Sequence, residues 1–316
     1  MKWRSHLAHL ALATLTAAAS TGATAHEQGV RFPAGTLAWS FEPWVVSCLA
    51  LAAALYLLGL VRLWRRAGAG RGVRALQLVA FWTGWAVLAT ALVSPLDSLG
   101  AQLFSAHMVQ HELLMIIAAP LFVVGRPLGL WAWALPARWR RASGRLFHVR
   151  PVRSAWRFVT QPLVAWTLHA LALWIWHLPA LFDAALASEW VHALQHFSFL
   201  ATALLFWWSV LGAANGTQQG IALLSLFTTM VHSGALGALL ALSSVAWYPA
   251  YANSAPAFGL SALDDQQLGG LLMWVPAGLI YLCIGCALAA RWLAAPRRRV
   301  ALGTSDLRSE ALRSRA

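Results

Sequence analysis

Seven apolar runs, each close to the roughly 20 helical residues that cross a hydrocarbon core, constrain this chain more than any other feature. They are Trp44–Trp64, Ala75–Ser94, Ala101–Val124, Val159–Leu178, Val191–Leu211, Ile221–Ser243 and Leu268–Leu293. No water inside a bilayer can satisfy loose backbone N–H and C=O groups, so each run is predicted to be an α-helix. The predicted fold class is an all-α membrane protein, a seven-transmembrane-helix bundle. Composition agrees: 10% of the residues are charged, against about 25% in an average soluble domain. Nineteen tryptophans suit the membrane interface, which accommodates both an apolar ring and a polar N–H. Pro120, Pro162 and Pro276 fall in or near spans, where neighbouring helices must cover the carbonyls they free.

The net charge of +13 would suit a nucleic-acid partner if the basic residues formed a stripe. They do not. They cluster after the first run (Arg62, Arg65, Arg66, Arg71, Arg74), after the third (Arg126 through Arg157) and beyond the seventh (Arg291 through Arg315), with Arg31 alone on the other side. That asymmetry predicts an N-outside, C-inside arrangement and excludes nucleic acid as a partner. The start of the chain has basic Lys2 and Arg4, an apolar stretch and Ala23-Thr24-Ala25, the pattern of a cleaved signal peptide. The predicted organisation is a signal peptide over 1–25, an outer segment over 26–43, the transmembrane domain over 44–296 and a disordered basic cytoplasmic tail over 297–316. The loop GRPLGLWAWALPARWRR reads either as a short interfacial helix with Trp131 and Trp133 among the headgroups or as an irregular loop.

Histidines then stand out by depth. At 1.5 Å per residue, His107 lies roughly 9 Å and His111 roughly 15 Å below the outer end of the third run. His192 and His196 fall in the outer third of the fifth run, His177 closes the fourth with His169 about two turns deeper, and His232 is some 16 Å down the sixth. All occupy the outer half, which scattered packing histidines would have no reason to do. His107/His111 and His192/His196 are i, i+4 pairs, so each pair leaves one helix face one turn apart, able to reach one metal ion. Ionisable groups inside membranes are costly and tend to be functional.

Met115 extends the first stripe, and thioether beside imidazole suits copper, Cu(I) above all. Met273 lies near the outer end of the seventh run, and Asp97, Asp264, Asp265 and the candidate mature terminus His26 face the same side. Glu112 is expected to point into the bundle beside the histidines as a partner or proton acceptor. Cys283 and Cys286 form a C-x-x-C near the inner end, far from the histidines; they and Cys48 read as packing residues. HELLM lacks the second histidine of a zinc-protease HExxH, and no phosphate loop or G-x-S-x-G is present.

The blocks SPLDSL, HMVQHELLMIIAAPLFVVGRPLGLW, WIWHLPALFDAAL, VHALQHFSFLATALLFWW, HSGALGALLALSS and GLSALDDQQLGGLLMWVPAGLIYL resemble the multi-span CtaG family of cytochrome c oxidase assembly proteins, distinct from the single-span copper chaperone of that name. The resemblance covers roughly 94–282. Glu112 departs from it, standing where an apolar residue is expected. It implies a non-enzymatic factor in the bacterial inner membrane that matures a haem-copper oxidase, with oxidase subunits and periplasmic copper chaperones as partners. Copper would be held at the outer face by His107, His111, His177, His192, His196 and His232. Noncovalent haem between facing histidines is the alternative, and a copper transporter, which would need ligands in the inner half, comes third.

Overall fold

A computed structural model describes residues 34–213 and 216–313, with side chains as far as residue 294. The signal-like start, with Ala23-Thr24-Ala25, His26 and Arg31, lies outside the described residues. Those described are helical, with no strand among them. The helices are α1 (Pro43–Ala67), α2 (Ala75–Val93), α3 (Pro95–Gly100), α4 (Phe104–Glu112), α5 (Ala119–Gly125), α6 (Pro127–Ala134), α7 (Ala137–His148), α8 (Arg150–Val159), α9 (Pro162–Trp176), α10 (Pro179–Ala187), α11 (Glu189–Leu211), α12 (Gly216–Ala241) and α13 (Ala262–Arg313). A π-helical segment, Leu113–Ala118, joins α4 to α5.

Six helices are long and apolar enough to cross a membrane: α1, α2, the continuous Phe104–Gly125 unit, α11, α12 and the Ala262–Ala294 part of α13. The protein is an integral membrane protein. The expected fourth span differs. Pro162 has no N–H and disfavours helix at Gln161, so the helix breaks there, and α8 and α9 meet at 63°, making a seventh span only as a bent pair. The tail expected to be disordered instead continues α13 through Arg313, a stretch rich in the helix formers Ala, Leu, Arg and Glu.

Two apolar cores hold the helices together. The larger gathers Met108, Met115, Phe199, Phe206, Trp207, Leu240, Met273 and Tyr281 from α4 and its π segment, α11, α12 and α13. The smaller, Tyr56, Leu60, Phe81 and Leu130, fastens α1 to α2 and α6, with the Tyr56 and Phe81 rings stacked at 3.6 Å. The helical reading of the tryptophan loop holds, but α6 lies along α1 itself. Trp131 donates to the Ala52 carbonyl at 3.1 Å and Arg62 to that of Ala134, while Trp133 lies under the Arg140 guanidinium. Cys48, Cys283 and Cys286 are exposed, which corrects their reading as packing residues: an apolar run does not reveal which of its faces meets lipid.

The π segment has a local cause. Ala119 N–H bonds back to Leu114 O, five residues away, and Pro120 has no N–H to offer. Met115 O is thereby left without a donor from its own helix. Trp207 of α11 supplies one, its indole N–H reaching Met115 O at 2.8 Å. Trp207→Phe keeps an aromatic side chain, though a smaller one, and orphans that carbonyl, so it is expected to cost about 1–3 kcal/mol for the lost hydrogen bond and more for the space left behind, read as a lower melting temperature in detergent.

Candidate metal centre

One end of the bundle collects the start of α4, the end of α9 and the start of α11, together with the α12–α13 connection. Its framework is polar and buried. Asp265, fully buried on α13, accepts from Phe104 N–H at 2.6 Å, Ser105 N–H at 3.0 Å and the Ser105 hydroxyl at 2.5 Å. A carboxylate thus caps the first turn of α4, where free N–H groups and the helix dipole both favour an anion. Gln110 donates to Ala91 O at 2.8 Å and to Asp97 at 3.1 Å, tying α4 to the end of α2 and to α3. Tyr248 donates to His177 O at 2.8 Å and Tyr251 to Gly100 O at 3.1 Å. Burial pushes both phenols up from their ordinary range, with nearby carboxylates adding to it, so both remain O–H donors.

Within that frame five imidazoles meet. Ring centroids are 4.4 Å apart for His107 and His111, 4.1 Å for His192 and His196, 5.3 Å for His107 and His192, 5.3 Å for His111 and His196, and 5.9 Å for His111 and His177. Phe182 lies 4.9 Å from the His107 ring and Phe199 4.5 Å from that of His111. His107, His192 and His196 each offer a ring nitrogen, and these atoms all lie within 4.8 Å of one another, close enough for one ion to gather them by small side-chain rotations. His111 is 1% exposed, yet neither of its ring nitrogens has a hydrogen-bond partner, nor does His196 Nε2. Buried polar atoms are rarely left so; unpartnered imidazole nitrogens gathered at one place suit a metal.

The remaining expected ligands fall elsewhere. His232 is not in the cluster: it takes a hydrogen bond from Trp174 at 3.4 Å and packs 5.6 Å from the Trp166 ring. His169 bonds Thr202 at 3.3 Å and stacks near Phe206. Met115 and Met273 belong to the main core. Asp265 and Asp97 serve as anchors, as above, and exposed Asp264 forms a reciprocal cap with Ser261 at the start of α13. Glu112 makes no hydrogen bond to His111, and its Oε2 has no partner. Met108 was not expected, yet its sulfur is 3.4 Å from His177 Nε2. Its i, i+3 relation to His111, one helix face, was the available signal.

His192 and His196 also line a cavity of about 1960 Å³ that runs between the α1–α2–α6 unit and α11, walled by Trp85, Leu88, Phe197 and Leu204. The cluster can therefore be reached from the flank of the bundle.

Residues 54–295, most of the chain and all of this site, match the family described as cytochrome c oxidase caa3 assembly factor, Caa3_CtaG. The chain belongs to that family. Similar proteins include uncharacterized proteins of Mycobacterium bovis and Mycobacterium tuberculosis, each 28% identical over 82% of this chain and 40% of the relative. One of Mycobacterium leprae is 28% identical over 80% and 39%. The chain thus spans about two fifths of the length of the curated relatives it matches. No solved structure matches it.

Proposed function

We propose that this Caa3_CtaG protein is a non-enzymatic assembly factor that holds copper in the cluster of His107, His111, His177, His192 and His196 and hands it to an oxidase subunit. The observation that carries the reading is the convergence of His107, His192 and His196 nitrogens within 4.8 Å beside a buried His111 with no hydrogen-bond partner. Neutral imidazoles bind copper well, and ligands drawn from three helices can release it by small motions of one.

With arginine-rich segments in the cytoplasm, the cluster faces the outer side of the inner membrane, where periplasmic copper carriers would load it. The flanking cavity then offers a client subunit a lateral approach to His192 and His196. The purified protein is expected to bind Cu(I) in competition with a chromophoric chelator. His196→Ala should weaken that binding at least tenfold, on the order of the 1.4 kcal/mol that a factor of ten represents. Affinity unchanged in His196→Ala would remove the cluster as the site. A Soret band surviving purification would instead favour haem.

A further inference from the structure

His177 sits at the end of α9, and its ring nitrogens face different atoms. Nδ1 is 2.6 Å from Leu173 O; a carbonyl only accepts, so Nδ1 carries the proton. The backbone N–H of His177 bonds Ile175 O instead, which leaves Leu173 O for the side chain. In the neutral ring Nε2 is then a bare lone pair, 3.4 Å from the sulfur of Met108, itself an acceptor. Two lone pairs at that distance, with 2% and 0% exposure at the two residues, have no donor between them. A protonated ring would supply one, at the cost of a buried cation among four further imidazoles. The contact also differs from common sulfur–aromatic packing, where sulfur sits about 5 Å from the ring.

We propose that Met108, His177 and His111 form a second coordination subsite, a sulfur-containing set selective for a soft monovalent cation of the Cu(I) or Ag(I) class, adjoining the His107/His192/His196 triad. It rests on the reading of the cluster as a copper site and adds to it a softer half. A separation of 3.4 Å lets nitrogen and sulfur share one ion at bonds of about 2.0 and 2.3 Å. His111 supplies the third ligand: its ring is 5.9 Å from His177, and both its nitrogens lack partners. Thioether contributes little to Zn(II) or Cu(II) and much to Cu(I), so the two halves differ in selectivity, and His111, which touches both, links them.

Met108→Leu conserves volume in the core and removes only the sulfur. The full chain in detergent, titrated anaerobically with Cu(I) and separately with Ag(I), is expected to take up two ions. X-ray absorption should show a sulfur shell near 2.3 Å. Met108→Leu should take up one ion and lose that shell, with Zn(II) uptake unchanged, and the H107A/H192A/H196A variant should keep it. Copper bound with nitrogen scattering alone, or a sulfur shell that survives Met108→Leu, overturns the subsite and leaves the copper reading standing. Failure of the unaltered protein to bind Cu(I) overturns both.

Discussion

Replacing Asp265 with alanine is expected to destabilise the protein by about 3–5 kcal/mol, because three donors lose one acceptor group at once. Phe104 N–H, Ser105 N–H and the Ser105 hydroxyl all point at this buried carboxylate, and a buried donor left unsatisfied costs about 1–3 kcal/mol. Asp265→Asn, which keeps one accepting oxygen and the volume, should lose about half as much. Thermal unfolding in detergent reads both effects. The damage should be local as well as global: Asp265 fixes the start of α4, and His107 follows two residues after Ser105. Fluorescence of the aromatic site wall or chymotrypsin susceptibility near Phe104 should change at temperatures well below the midpoint. A melting temperature equal to that of the unaltered protein in Asp265→Ala would show that the carboxylate does not hold α4.

Gly270→Val is expected to be comparably severe, about 3 kcal/mol, the upper part of what overpacking usually costs. A Cβ at Gly270 would stand 2.5 Å from the Ala241 nitrogen and 2.6 Å from Gly237 O. Those are backbone atoms, which cannot step aside by changing rotamer. Helices α12 and α13 thus meet backbone to backbone, as small residues allow in membranes where lipid gives no hydrophobic drive to association. Pushing α13 away also moves Asp265, little more than one turn earlier, so Gly270→Val should weaken the α4 cap too. The two variants combined should therefore lose less than the sum of their separate costs. Strict additivity would mean that α13 yields at Gly270 without moving its end.

Much of the fold was legible because bilayer length and backbone hydrogen bonding leave helices as nearly the only solution for an apolar run. The boundaries that failed did so at prolines: Pro162 broke the fourth span, and Pro120 turned part of the third into a π segment. Depth along each helix followed from residue counting, which is why one end of the bundle gathers His107, His111, His177, His192 and His196. Azimuth did not follow. His232 has a suitable depth, but on α12 its ring turns toward Trp166 and Trp174, and nothing in a span that is apolar all round marks which face meets which neighbour. Cys283 and Cys286 fall to the same ambiguity, being exposed.

The sequence by itself determined that this protein lives in a membrane as helices and carries paired histidines near one end, since both follow from hydrophobicity and a fixed rise per residue. Only the tertiary structure decided which histidines meet, that Asp265 caps the helix bearing two of them, and that Met108 faces His177. Those facts depend on how helices distant in sequence rotate and pack against one another, and local spacing does not encode that rotation.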